Sequence, residues 1–404
     1  MKKVVKCGTF FDAANGTTKK DVAVVIEENK IVKVAPVKDV DTKDCEVIDL
    51  SSKFVMPGLI DGHMHIGMNG EPTVHGLYTT LPTYLPFLAE QYAKRDLMAG
   101  FTTIRCEGDV DFVDVSLRTA IENGICIGPR MQCSGVPIST TGGHGDHHYI
   151  PAVKGGQMAT ICKGPDEVRD ATRYTFKYGA DQVKLMATGG VMSDGDEPGA
   201  AEMTYEEMRA ACEIAEMHGK TSTAHAHGAK GIKNAIRAGI TSIEHGMLID
   251  DEGIDMLVEH GTYLVPTIIA AYRIVEHGVE AGIPADNVRK AKLCLENHND
   301  HLKVMVKKGV KIAFGTDTGT PYSKHGDQAF EFQLMEQAGI PAAQILQSAT
   351  KVCSEMIKKD NIIGTIEEGK LADIVAFDEN PLEKGMKVMM NCAFVMKDGV
   401  VYKG

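Results

Sequence analysis

Apolar and polar positions change their period along this chain. From about residue 58 onward, short apolar runs of strand length alternate with longer segments whose apolar residues recur at helical spacing. The helical segments stop repeatedly at a glycine: Gly100, Gly124, Gly179, Gly219, Gly239, Gly261 and Gly309. Glycine just past a helix supplies the left-handed backbone turn that ends it. Each stop is followed by a β-rich segment, namely TTIRC, RMQCS, QVKLMA, TSTAHA, SIEH, TYLVPT and KIAFGT. With LIDGHMH in front there are eight strand candidates, each followed by a helix or long loop. This alternation predicts an α/β fold, a parallel (β/α)8 TIM barrel, with a doubly wound parallel sheet as the alternative.

The two ends follow another pattern. Residues 1–57 and 365–404 read as short strands and turns with little helix, and neither end is large enough to bury a core alone. They are expected to pair into one small β-sandwich domain beside a barrel spanning 58–364.

Composition narrows the class. A chain of 404 residues suits one barrel-sized domain with a lesser companion, and 43% apolar with 24% charged residues places it among soluble globular proteins. The formal charge of −12 argues against a nucleic-acid partner, which normally meets a basic face. Ten scattered cysteines without a CxxC pair read as reduced thiols of a cytoplasmic protein. Lys6 interrupts the first apolar stretch before signal-peptide length, and no run approaches the roughly 18 apolar residues of a spanning helix, so no membrane partner is expected.

Candidate chemistry gathers at the strand ends, the face on which a β/α barrel builds its site. His63 and His65 lie two apart at the end of the first strand, and strand alternation points both side chains the same way. His225 ends the fifth strand, His245 the sixth and Asp317 the eighth. Imidazoles and a carboxylate are metal ligands, and these five converge only if the strands close on one another. Lys184 sits inside the apolar run QVKLMA, where an unpaired ammonium would be costly. As a carbamate formed with carbon dioxide it would become a carboxylate able to bridge two metals.

These residues resemble the amidohydrolase superfamily in its binuclear form with a carboxylated lysine. The MPG entry at Met56 to Gly58 and the tail GTIEEGKLADIVAFDENPL are similar as well. The resemblance implies one metal held by His63, His65 and Asp317, a second by His225 and His245, and the Lys184 carbamate between them. Zinc suits such ligands, although they do not exclude manganese or iron. It also implies amide hydrolysis by a hydroxide shared between the metals, with Asp317 accepting its proton.

TGGHGD, KLMATGGVMS and HAHGAKGIK narrow the resemblance to a dipeptidase and carboxypeptidase-like branch. That branch releases a C-terminal amino acid from Xaa-Pro, Xaa-Arg or Xaa-Lys dipeptides or from N-acyl amino acids, and some relatives hydrolyse ochratoxin A. Its members imply substrate contacts at His144, His227 and Lys233, with tyrosine in some relatives where His227 stands. For Lys233 a solvated helix lysine is the alternative. Gly189 and Gly190 are expected to supply a sharp turn at the mouth. The acidic loop Asp194, Asp196, Glu197 would attract a basic side chain or be merely solvated. A cyclic-amide hydrolase opening imidazolone or hydantoin rings is the competing enzyme, and a metal-stabilised scaffold the non-catalytic alternative. Relatives commonly form homo-oligomers, including octamers.

Overall fold

A computed structural model describes residues 2–146 and 158–404. The chain opens with four strands, β1 (Lys3–Asp12), β2 (Thr17–Glu27), β3 (Lys30–Pro36) and β4 (Glu46–Pro57). Nine short strands follow: β5 (Leu59–Met64), β6 (Phe101–Cys106), β7 (Arg130–Gln132), β8 (Ile138–Thr140), β9 (Thr160–Cys162), β10 (Gln182–Met186), β11 (Thr221–Gly228), β12 (Ser242–Leu248) and β13 (Tyr263–Val265). Three more close the chain, β14 (Ile374–Phe377), β15 (Cys392–Lys397) and β16 (Val400–Lys403).

The two ends join in one seven-stranded sheet of order β16-β15-β14-β4-β1-β2-β3. The seam is antiparallel, with Ile374 opposite Pro57 and Phe377 opposite Phe54. Its core draws on both ends of the chain: Val5, Val24, Ile26 and Val55 pack with Ile374, Phe394 and Met396. Gly58 leads from β4 into β5 where backbone and side chain nearly touch, because a Cβ there would lie 2.1 Å from Thr102 Oγ1.

The remaining strands are parallel. They form a three-stranded sheet, β5-β6-β7, and a six-stranded sheet, β13-β12-β11-β10-β8-β9. β5, β6, β10 and β11 are buried at every position, as strands covered on both faces must be. Helices supply that cover. Tyr205–Met217 starts with a capping box between Thr204 and Glu207, and Ala229–Ala238 turns Ile232, Ala235 and Ile236 inward and ends at Gly239. All seven predicted glycine stops have φ between +66° and +104°, the conformation a β-carbon penalises.

Two strand expectations are corrected. RMQCS is not one strand: β7 bonds to β6, then the chain continues to β8, whose Ile138 pairs with Leu185 of β10. Between them the Cys133 carbonyl accepts Asp181 N–H at 2.7 Å, so this stretch serves both sheets. KIAFGT is not a regular strand. Its Ile312 makes an isolated bridge to Leu264, and Thr318, two residues beyond it, makes one to Met64. Ala313 N–H reaches the Leu264 carbonyl on one side, and Gly62 N–H reaches the Phe314 carbonyl on the other. Scattered bonds to two neighbours replace a regular ladder, and just past the segment Asp317 departs from extended backbone, with φ of +56°. No helix among the described residues is long and apolar enough to cross a membrane.

Candidate metal centre

His63 on β5 and His65 just beyond it, Lys184 on β10, His225 and His227 on β11, His245 on β12 and Asp317 all line one cavity. The parallel strands point their C-terminal ends at it. The His63 and His65 rings lie 5.6 Å apart, His63 and His245 4.9 Å, and His225 and His245 4.7 Å. Asp317 Oδ1 stands 3.0 Å from His65 Nε2 and 3.3 Å from His63 Nε2.

The far sides of three of these rings are fixed. His63 Nδ1 meets Glu244 Oε2 at 2.7 Å, His65 Nδ1 the Gly108 carbonyl at 2.6 Å, and His245 Nδ1 the Thr267 hydroxyl at 2.6 Å. Such partners orient a ring and select its tautomer. Strained backbone occurs here too: His245, Thr267 and Asp317 hold φ values of 71°, 45° and 56°. Non-glycine residues adopt that region only when surrounding contacts impose it.

Electrostatics suit a cation. Burial, reinforced by neighbouring imidazoles, holds His225 and His245 well below the ordinary histidine pKa, and burial brings His227 down to about 3. These rings are neutral and keep lone pairs to donate. Burial opposes the Asp317 carboxylate, yet hydrogen bonds from His63 and His65 hold its pKa well below the usual range. Burial disfavours protonated His65, but Asp317 outweighs it and raises its pKa. Ligand atoms of His63, His245 and Asp317 lie within 4.8 Å of one another, and so do those of His225, His227 and His245. Neutral imidazoles beside an ionised carboxylate fit a divalent metal. By distance His227 stands with the ligand group as well as facing the cavity.

Lys184 is 2% exposed, and its Nζ lies 3.3 Å from Oε2 of the fully buried Glu107. Beneath the histidines runs a layer of charge. Arg105 reaches Glu244 at 2.8 Å, Glu107 at 2.9 Å and the Ser242 hydroxyl at 2.9 Å. Sequence reasoning missed Arg105, Glu107 and Glu244. The signal that drew attention to Lys184, a charged residue inside an apolar strand, is equally present in TTIRCEG and SIEHG.

The expected substrate contacts divide. The His144 ring stacks on His225 at 4.2 Å and lines the cavity, its Nδ1 2.6 Å from the Ser193 hydroxyl and its backbone N–H donating to Glu202 at 2.8 Å. Its neighbours His147 and His148 lie outside the described residues. Gly189 and Gly190 do not have positive φ and make no left-handed turn. They permit close approach instead, since a Cβ on Gly190 would lie 2.2 Å from the His144 ring and one on Gly189 2.3 Å from the Glu197 carbonyl. Lys233 does not line the cavity; it pairs with Asp250 at 2.8 Å and Glu252 at 2.6 Å. Two of the three acids of the loop are already matched within the protein. Asp196 bonds Ser193 and Lys290, Glu197 pairs with Arg289 at 2.6 Å, and Asp194 is exposed.

The cavity measures about 750 Å³ including its solvent-open mouth. Above the histidine floor its walls are apolar, with Met68, Met158, Met186, Met192, Met247, Val191 and Ile274. Methionine walls adapt their shape to varied apolar groups.

Residues 54–403 match the model of the amidohydrolase family. Ochratoxinase from Aspergillus niger is 30% identical over 96% of this chain and 84% of its own. A Xaa-Pro dipeptidase crystallised with methionine in its active site is 36% identical, with a TM-score of 0.93 and full coverage of both chains. A prolidase complexed with N-methylphosphonate-L-proline is 31% identical, with a TM-score of 0.92 and full coverage of both.

Proposed function

Because the chain belongs to the amidohydrolase family, we propose that it is a binuclear metal-dependent hydrolase that cleaves the amide bond to a C-terminal amino acid, in a dipeptide or an N-acyl amino acid. The observation that carries this reading is the convergence of His63, His65, His225, His245 and Asp317 with Lys184 on the floor of one apolar cavity. The likeness to a Xaa-Pro dipeptidase, a prolidase and an ochratoxinase supports the amino-acid amide as the bond cleaved.

The fold that goes with this reading is a closed (β/α)8 barrel of residues 58–364, beside a sandwich of 1–57 with 365–404. Backbone bonds from 130–140 and 311–318 to strands on both sides support closure.

His63, His65 and Asp317 would hold one divalent metal, His225 and His245 another, and a carbamate on Lys184 would stand between them. Zinc suits this donor set. When bound, such metals polarise an amide carbonyl and lower the pKa of water. The protein's own groups do the rest. Asp317 carries two carboxylate oxygens, and the one that does not hold a metal would accept the proton of the attacking water and pass it to the leaving nitrogen. His144, steadied by Ser193, presents its ring toward the amide oxygen. The methionine walls exclude water and receive an apolar side chain or acyl group. Xaa-Arg and Xaa-Lys substrates are disfavoured because Asp196 and Glu197 already have cationic partners and Asp194 does not line the cavity.

An ochratoxin-type amide is the second reading, favoured by the apolar walls and by the 30% identical ochratoxinase. The test is a library assay of zinc-loaded protein on Xaa-Pro, Xaa-Arg, Xaa-Lys, other N-acyl amino acids, ochratoxin A and cyclic amides. Release of a free amino acid bearing an apolar neighbour is expected. Turnover of cyclic amides alone would overturn the proposal. The protein is also expected to be a homo-oligomer. Three large apolar side chains lie exposed within seven residues, Leu81 at 70%, Tyr84 at 54% and Phe87 at 64%, a density that supports a covered face.

A further inference from the structure

We propose that Glu107 is the positioning residue for the Lys184 carbamate, its Oε2 accepting the one hydrogen that the carbamate nitrogen retains. The inference rests on the carbamate reading given above. Its chemistry defines what Lys184 requires. The freed amine lone pair forms the N–C bond with carbon dioxide, one C=O electron pair moves onto oxygen, and the two displaced protons leave to the solvent buffer. The product, R–NH–COO⁻, keeps a single N–H. In a site where Lys184 is 2% exposed, that N–H needs an acceptor within the protein.

Glu107 offers one. Its Oε1 is engaged, accepting Gln182 Nε2 at 2.7 Å and facing Arg105 Nε at 2.9 Å. Its Oε2 is buried, has no hydrogen-bond partner among the described residues, and lies 3.3 Å from Lys184 Nζ. The Glu107 backbone is tied to the Met64 carbonyl at 2.9 Å, beside His65. A hydrogen bond at this point would fix rotation about the nitrogen and turn both carbamate oxygens away from Glu107, toward the cavity that Lys184 lines.

Charge is consistent with this role. Arg105 and Lys184 face Glu107 and Glu244 in the buried layer, two cations against two anions. Arg105 contacts Glu107 independently of Lys184, so conversion of the ammonium to an anion does not strip Glu107 of its cationic neighbour. The conversion does leave the layer two charges more negative. A divalent cation offsets that change, so carbamate formation and metal binding favour each other.

The test combines ¹³C NMR in ¹³C-bicarbonate with metal-affinity measurement on the full chain. Metal-loaded wild type is expected to show a carbamate resonance; its absence would overturn the carbamate reading itself. E107Q preserves shape, but Arg105 and Gln182 claim its carbonyl oxygen, which turns its amide N–H toward Lys184. It is expected to weaken the resonance and lower metal affinity about tenfold, the scale of one lost hydrogen bond to a charged group. E107L should do the same, and E107Q decides if E107L does not fold. The control is K184A with acetate supplied as the bridging carboxylate, where no carbamate N–H exists. E107Q should have no further effect on metal affinity there. An equal tenfold loss in both backgrounds, or a wild-type resonance in E107Q, would overturn the role of Glu107.

Discussion

Asp317 carries the sharpest expectation at the scale of single residues. Its carboxylate is held ionised by His63 and His65, and a general base of this kind contributes about 10²–10⁴ in rate. Asp317→Asn should therefore lower kcat by about 10³ while one carbonyl oxygen still faces the histidines; near-normal turnover in metal-loaded variant would remove Asp317 from the proton path. Lys233 should behave oppositely. It is bound to Asp250 and Glu252 rather than to the cavity, so Lys233→Met is expected to change KM by less than about twofold, since such partly exposed pairs are worth little. Glu202 predicts a pH dependence. Burial raises its pKa to about 7 from an ordinary 4.5, so the folded state favours the neutral acid. That contribution is fully present below about pH 4.5 and is lost as pH rises through about 7. Glu202→Gln should match wild type in thermal stability at pH 4.5 and exceed it at pH 8, by on the order of 2 kcal/mol; an unchanged difference between those pH values would refute the assignment. Of this scale the sequence revealed which residue types stand at the strand ends. It did not reveal that Asp196 is paired with Lys290, because the two are 94 residues apart.

The helix Ile268–His277 shows how an element serves the site. It has no side-chain cap of its own. Its first amides, Ile268 and Ile269, donate to the buried carboxyl of Glu331 at 2.9 and 2.7 Å. Thr267, just before it, holds φ at 45° and bonds His245 Nδ1. Glu331→Leu would leave two buried donors unsatisfied at about 1–3 kcal/mol each. A clear fall in melting temperature is expected, together with weaker metal binding through His245. Unchanged metal affinity in a destabilised variant would show that the cap acts on stability alone. Helix ends were legible in the sequence wherever a glycine terminates the helix, because that signal is local. The Glu331 cap was not, since its carboxyl comes from another helix 62 residues or more away. Similarly, KIAFGT has strand composition, but its bonds are split between two neighbours and form no ladder, a division that its own residues do not show.

At the scale of the whole molecule, two measurements follow. Chelation should lower the melting temperature and zinc should restore it, because a ligand bound only by the folded state stabilises by about 4 kcal/mol at a thousand times its Kd; a melting temperature indifferent to chelator and zinc would argue against metal at this centre. The native mass is expected to be a multiple of the 43.6 kDa chain, with Leu81, Tyr84 and Phe87 protected from hydrogen exchange of their backbone relative to a dissociated form. A single-chain mass would end the oligomer reading. By itself the sequence determined the alternation of strand and helix, the glycine stops, and the histidines, lysine and aspartate at strand ends, because these are written in spacings of a few residues. Tertiary structure alone decided which charges neutralise which. Arg105 and Glu244 are 139 residues apart, and burial makes their pairing obligatory only once distant strands have been brought side by side.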